Sequence, residues 1–286
     1  MATRTPVIDS HHHFLDPDRA VYPWMSGPKL ALKKRFMPEE FRPVLAENGI
    51  DASILVQTLT GPGETLEWLA LAERTDFVAG VIGWVDLTSP AAASELARLR
   101  SAPGGQRLVG VRHKLHDEVD PNWILREDVQ RGLKAVEASG LTFDLLVRPR
   151  ELPAALEAVR RFSGMRFVIE HIAKPDIAAR EMASWSAGMA PFADQPHVWC
   201  KLSGMVTEAD LARWRPADFA PYVASVMRWF SEDRVMFGSD WPVCLLGGSY
   251  GQIKAALETC LGALSPSAKA KIFGGNAIAA YRLQVA

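Results

Sequence analysis

Cysteine is scarce in this chain: Cys200, Cys244 and Cys260 stand far apart, with no Cys-x-x-Cys pair among them. That excludes a disulfide framework and a cysteine-type zinc site, and leaves each as a free thiol in a small hydrophobic setting. A dominant charge sign is also missing. The formal net charge is -1 over 286 residues, so no basic face for nucleic acid or for an anionic membrane is expected. No apolar run approaches membrane-spanning length, and no charged-then-apolar leader opens the chain. Fixed-period repeats and low-complexity tracts are absent too. These absences predict a reduced, cytoplasmic, soluble protein with neither nucleic acid nor membrane as partner; a homo-oligomer stays open.

What is present is core material. The apolar fraction is 48% and the charged fraction 23%, values typical of a globular protein. Short apolar runs recur over residues 7–13, 52–57, 78–85, 108–114, 142–147, 166–171, 198–203 and 234–240. Each starts with β-branched or aromatic residues and ends in a polar one, as expected for strands of a parallel sheet buried on both faces. Apolar spacing of three and four predicts helices over 64–74, 90–99, 129–138 and 152–162, the third stopped by Gly140. Eight strands with intervening helices predict an α/β fold, a (β/α)8 TIM barrel formed as one domain over 1–286. A doubly wound open sheet is the other topology considered, but it calls for a Gly-rich phosphate turn where this chain has His11-His12-His13-Phe14. The stretch from Phe14 to Pro38, with Tyr22-Pro23-Trp24 and Gly27-Pro28, reads as a loop over the barrel mouth.

In such a barrel the polar ends of the strands converge on one mouth. Asp9-Ser10-His11-His12-His13 closes the first run; alternation places Asp9, His11 and His13 on one face and His12 on the other. Two imidazoles two residues apart suit a single divalent ion. The other strand ends offer Gln57, Trp84 with Asp86, Arg112 with His113, Asp144, Glu170 with His171, Lys201 with Ser203, and Asp240. Asp240, inside Phe237-Gly238-Ser239-Asp240-Trp241-Pro242, is suited to accept a proton from water or to complete a metal shell; helix capping is its plainer role. His171 is a candidate acid, base or ligand. Lys201, Arg112 and His113 are candidate oxyanion stabilisers, with strand alternation admitting only one or two residues of the 112–114 cluster to the mouth. Trp24, Trp84 and Trp241 are candidate stacking surfaces for a ring substrate, Gln57 and Ser203 candidate hydrogen-bonding neighbours, and Gly204 would let a substrate approach the backbone.

The pair His11-x-His13 and Gly238-Ser239-Asp240-Trp241-Pro242 resembles the amidohydrolase superfamily, in its "amidohydrolase 2" branch. Tyr22-Pro23-Trp24, Gly110-Val111-Arg112-His113, His171-x-x-Lys174-Pro175 and Cys200-Lys201-Leu202-Ser203-Gly204 narrow the likeness to sugar lactonases of the L-fuconolactonase and L-rhamnonolactonase type. The resemblance implies His11, His13 and Asp240 at a metal site, with zinc as the metal or a metal-independent variant of the reaction. It implies Asp240 as general base, His171, Lys201 and His113 as further catalytic groups, and Trp24, Gln57, Trp84, Arg112, Ser203 and Trp241 around the substrate. Asp144 stands where many members carry a fifth-strand histidine, which argues against a two-metal centre. The implied reaction is hydrolysis of a sugar lactone in carbohydrate catabolism. The alternatives are a dicarboxylate or aromatic-derived lactone, decarboxylation of a ring acid, or a non-catalytic ligand-binding barrel. Of the arginines a carboxylate-bearing substrate would need, only Arg112, and more weakly Arg148, are expected at the mouth.

Overall fold

The computed structural model describes residues 4–285. Eight strands run parallel in sequence order: β1 (Ile8–His12), β2 (Ala52–Val56), β3 (Val78–Gly83), β4 (Leu108–His113), β5 (Thr142–Leu145), β6 (Phe167–Ile169), β7 (Val198–Leu202) and β8 (Val235–Phe237). A parallel bridge between His12 and Trp241 brings the last strand back to the first, completing the (β/α)8 barrel. Nearly every strand residue is buried, which is why the runs read as continuously apolar. The crossover helices are α1 (Pro38–Glu47), α2 (Pro62–Glu73), α3 (Ala92–Ser101), α4 (Glu127–Ser139), α5 (Leu152–Arg161), α6 (Ala183–Met189), α7 (Pro216–Phe230) and α8 (Tyr250–Leu261). Two short helices follow, α9 (Pro266–Ala270) and α10 (Asn276–Tyr281).

Two apolar layers hold the barrel. The outer one packs Leu55, Val81, Val111 and Phe143 of the strands against Trp68, Leu133 and Phe219 of the helices. The inner one fills the base with Ile8, Ile54, Ile82, Val168 and Met236, and α10 closes it from below with Ala277, Ala280 and Tyr281. Thr142 Oγ1 and Arg166 Nε each donate to the Ala280 carbonyl at 2.7 Å, tying α10 to the strands. Packing consumes the base, so cavity space remains at the C-terminal mouth.

Two strand ends differ from the simple alternation. In β1 the register slips between Asp9 and His12, so a bulge lies there. Asp9 consequently does not share the histidines' face: its carboxylate accepts from Tyr250 of α8 at 3.0 Å and from the Ser239 amide at 2.9 Å. Burial pushes its carboxyl up to about 6. His12 points into the outer layer beside Phe14 and Phe41, while His11 and His13 turn together into the barrel. β6 stops at Ile169 rather than continuing to His171, because His171, Ile172, Ala173 and Lys174 all adopt positive φ, between 48° and 60°. A left-handed run of non-glycine residues costs roughly 1–2 kcal/mol per residue. Trp185 Nε1 donates to the Ile172 carbonyl at 2.7 Å, and Lys174 pairs with Glu208 at 2.5 Å, pinning the turn.

Candidate metal centre and its cavity

His11, His13 and Asp240 meet at the top of the barrel, brought there by the bulged end of β1 and the turn after β8. His11 Nε2 and His13 Nε2 are 3.1 Å apart, and Asp240 Oδ1 lies 3.6 and 3.4 Å from them. Their other nitrogens are committed. His13 Nδ1 faces the Val56 carbonyl at 2.7 Å, and a carbonyl only accepts, so the proton is on Nδ1. His11 Nδ1 faces Glu170 Oε1 at 3.1 Å, which assigns its proton the same way. Two Nε2 lone pairs and one carboxylate oxygen therefore converge with no donor among them, an arrangement that calls for a cation.

The dimensions suit zinc. With metal–ligand bonds near 2.05 Å, the edge of a tetrahedron is about 3.3 Å, against the 3.1, 3.4 and 3.6 Å observed. Two histidines and one carboxylate form a donor set that leaves a fourth position for substrate or water. Burial holds the His11 imidazole down at about 3, so it is a neutral ligand at any physiological pH. Burial likewise lowers His171.

His171 completes the floor. Its Nδ1 bonds Ser203 Oγ at 2.9 Å, and its ring lies 4.4 Å from that of His11. Gly204 makes this possible: it sits at φ +63°, and a Cβ there would lie 2.5 Å from His171 Nδ1. Glycine at this position admits the imidazole rather than a substrate. Gly238 does the same service for His11, whose Cβ would be 2.9 Å from a Cβ added there.

Above the triad opens a cavity of about 230 Å³. Of the residues singled out from sequence, His13, Trp24, Arg112, His171 and Asp240 line it. Alternation in β4 turns Arg112 inward, where Nη1 pairs with Glu170 Oε2 at 2.6 Å and Nη2 donates to the Gln57 carbonyl. The remaining candidates sit elsewhere. His113 points outward, stacked on Trp123 at 4.1 Å, receiving the Trp84 indole N–H and bonding Glu118. Trp84 is thus engaged behind the wall, and Trp241 is stacked on Phe41 in the outer layer. Gln57 is wholly buried, with its amide 3.5 Å from the Arg112 carbonyl. Lys201 is fully buried beneath the triad and does not line the cavity: its ammonium lies 2.6 Å from Asp144 Oδ2 and 3.2 Å from Glu170 Oε1.

Sequence reasoning passed over part of the cavity wall: Lys29, Thr58, His116, Asp117, Thr207 and Glu208 line it, beside Lys114 of the 112–114 cluster, Lys174 of the His171-x-x-Lys174 motif, and Arg148, expected there more weakly. Lys114 was legible: it follows Arg112 by two, the spacing that shares a strand face. Glu170 was visible at a strand end, but nothing in its spacing tied it to His11. The wall's charges are largely matched, with Arg148 and Lys174 both on Glu208 at 3.0 and 2.5 Å.

The three cysteines are free, as the sequence suggests, and burial raises each thiol. No helix among the described residues is long and apolar enough to cross a membrane.

Comparison with known proteins gives the chain's relatives. Two curated proteins named L-fucono-1,5-lactonase are similar along almost their whole length. That from Burkholderia ambifaria is 39% identical over 284 residues, covering 96% of this chain and 95% of the relative. That from Burkholderia multivorans is 35% identical over 287 residues, covering 96% of each. A crystal structure of an amidohydrolase from Burkholderia multivorans with bound zinc superposes with a TM-score of 0.92 at 34% identity, covering 98% of this chain and 100% of the other. A probable 2-pyrone-4,6-dicarboxylic acid hydrolase from Acinetobacter baumannii, at 19% identity and TM-score 0.79, shares the fold over 97% of this chain and 100% of its own. With the family model described as Amidohydrolase matching residues 8–283, the chain belongs to the amidohydrolase family.

Proposed function

We propose that the protein hydrolyses a sugar lactone to its aldonic acid, as a cytoplasmic enzyme of carbohydrate catabolism. The observation that carries this reading is the donor-free convergence of His11 Nε2, His13 Nε2 and Asp240 Oδ1 at the floor of a cavity with room for one small ring. The two relatives named L-fucono-1,5-lactonase support the choice of substrate class.

His11, His13 and Asp240 would hold a divalent metal, zinc by their donor chemistry, and a metal there supplies Lewis-acid polarisation of the lactone carbonyl. The chain's own groups do the rest. Asp240, ionised at neutral pH, accepts the proton of the water that attacks the carbonyl carbon. The proton then passes from Asp240 to the ring oxygen as its bond to the carbonyl carbon breaks, and His171, neutral and fixed by Ser203, is placed to relay it. Arg112, fixed by Glu170, presents a positive face to the developing oxyanion. Trp24 lines the cavity and offers it apolar ring surface for a sugar ring.

A lactone bearing an additional carboxylate is the second reading, favoured by Lys29 and Lys114, cavity cations without a carboxylate partner among the described residues. A pH-indicator assay separates the two, run against aldonolactones including L-fucono-1,5-lactone and against 2-pyrone-4,6-dicarboxylate. The protein is tested as purified, after chelation and after zinc is restored. Saturable opening of the aldonolactones, lost on chelation and regained with zinc, is expected. Turnover confined to the dicarboxylate establishes the second reading.

A further inference from the structure

We propose that Lys201 is a positioning residue: backed by Asp144 and Tyr281, it fixes Glu170 and so holds His11 in the Nδ1–H tautomer whose Nε2 faces the metal position. The inference rests on the metal-assisted reading above, but concerns residues that touch neither cavity nor substrate.

Four hydrogen-bonded side chains run in line from the barrel base to the site. The Tyr281 hydroxyl, from α10, donates to Asp144 Oδ2 at 2.7 Å. The same oxygen takes the Lys201 ammonium at 2.6 Å. Lys201 also donates to Glu170 Oε1 at 3.2 Å, the oxygen that accepts His11 Nδ1–H at 3.1 Å; the ammonium stands 3.4 Å from His11 Nδ1 itself, a longer contact than the one Glu170 makes there. Arg112 holds the other oxygen of Glu170 at 2.6 Å. Lys201, Asp144 and Glu170 have no exposed side-chain surface.

The geometry leaves Glu170 no freedom. Its two oxygens are each clamped by a cation, so the carboxylate plane is set by Lys201 and Arg112 together. Remove the ammonium, and Glu170 is held at Oε2 alone and can swing about that contact, taking Oε1 away from His11. The imidazole then loses the acceptor that keeps its proton on Nδ1. With the proton on Nε2, His11 presents a hydrogen where a lone pair is needed. Partners that orient a ligating histidine are typically worth 10–100-fold in metal affinity.

Lys201 cannot be replaced alone without stranding buried carboxylates, a change that is strongly destabilising. The paired variant Lys201→Met with Asp144→Leu removes both charges at similar volume, and Asp144→Asn is a milder companion that keeps the ammonium but weakens its backing. Two readouts are used, neither requiring turnover. The first is side-chain ¹⁵N spectra of histidine-labelled, metal-free protein, with the His11 signals assigned by their loss in His11→Asn. The second is zinc affinity by competition with a chromophoric chelator. In the wild type His11 is expected as the single Nδ1–H tautomer. In the paired variant both tautomers should appear and zinc affinity should fall about 10–100-fold, with Asp144→Asn between. A folded paired variant with wild-type His11 signals and zinc affinity within about twofold overturns the proposal. Should the paired variant not fold, unchanged tautomer and affinity in Asp144→Asn overturn it equally. If the wild type opens no lactone while these shifts appear as stated, the substrate reading fails and the positioning role stands.

Discussion

Arg112 near the end of β4 and Lys114 just past it both line the cavity, yet of the two only Arg112 has an ion-pair partner among the described residues. Burial, with the Arg112 charge beside it, lowers the Lys114 ammonium to about 8. An ammonium that lines the cavity without a carboxylate should serve a ligand oxygen, most strongly an anionic one. Lys114→Met is therefore expected to weaken inhibition by the aldonate product about tenfold, since a hydrogen bond to a charged group contributes roughly 1.5 kcal/mol or more. The KM for the neutral lactone should change less than about twofold by the same reasoning. The sign of the pH effect follows from the lowered value. Below pH 8 the ammonium is charged and the aldonate binds; as pH rises through 8 the charge is lost and inhibition should weaken. Lys114→Arg should keep inhibition pH-independent there, because guanidinium stays protonated. Inhibition constants between pH 6.5 and 9.5 check all three. Asp240 gives the companion prediction. Asp240→Asn keeps the side chain's size but cannot take a proton, so kcat should fall by about 10²–10⁴ with an unchanged circular-dichroism melt. Retained turnover would remove Asp240 as the base.

Among elements, the turns after β6 and β7 are one mechanical unit, because His171 occupies the space that Gly204 leaves open. Gly204→Ala places a methyl against the ring and forces an alanine to positive φ. A stability loss of about 1–3 kcal/mol in urea unfolding is expected, with kcat reduced more than KM because the proton-carrying imidazole shifts. If the melt drops while kcat per folded molecule holds, His171 is not the proton donor. This unit also marks where the sequence stops being readable. Strands with both faces buried announce themselves, and the inward turn of Arg112 follows from alternation alone. The left-handed run His171–Lys174 does not, since no glycine signals it and its stability comes from Trp185 and Glu208, distant in sequence. The bulge that sends Asp9 outward is equally silent. Of the intervening helices, those over 38–47 and 216–230 were not delimited from sequence; Pro43 and Pro221 lie inside α1 and α7, where proline reads as a breaker. The metal-site trio was legible as residues; the carboxylate that orients it was not, because Glu170 meets His11 only through barrel closure.

At the scale of the whole molecule, the barrel divides its work between two ends. The mouth gathers buried charge, which is costly, around His11, Asp240, Glu170 and Lys201. The base is apolar and sealed by α10 and the residues after it, with Leu283 buried against β3 and β4 near Gly80 and Val109. That division predicts separable effects. Leu283→Ala removes a buried side chain far from the cavity and should cost about 2–5 kcal/mol of stability, the usual range for such truncations, while kcat per folded molecule stays at the wild-type value. Tyr281 tests the boundary between the ends, because it belongs to the seal yet begins the hydrogen-bonded line to His11. Tyr281→Phe keeps the ring in the inner layer and removes only the hydroxyl. Its melting temperature should move little, and its zinc affinity should drop measurably. Equal affinity in the two proteins would place the functional limit of the barrel at Asp144, with everything below it serving stability alone.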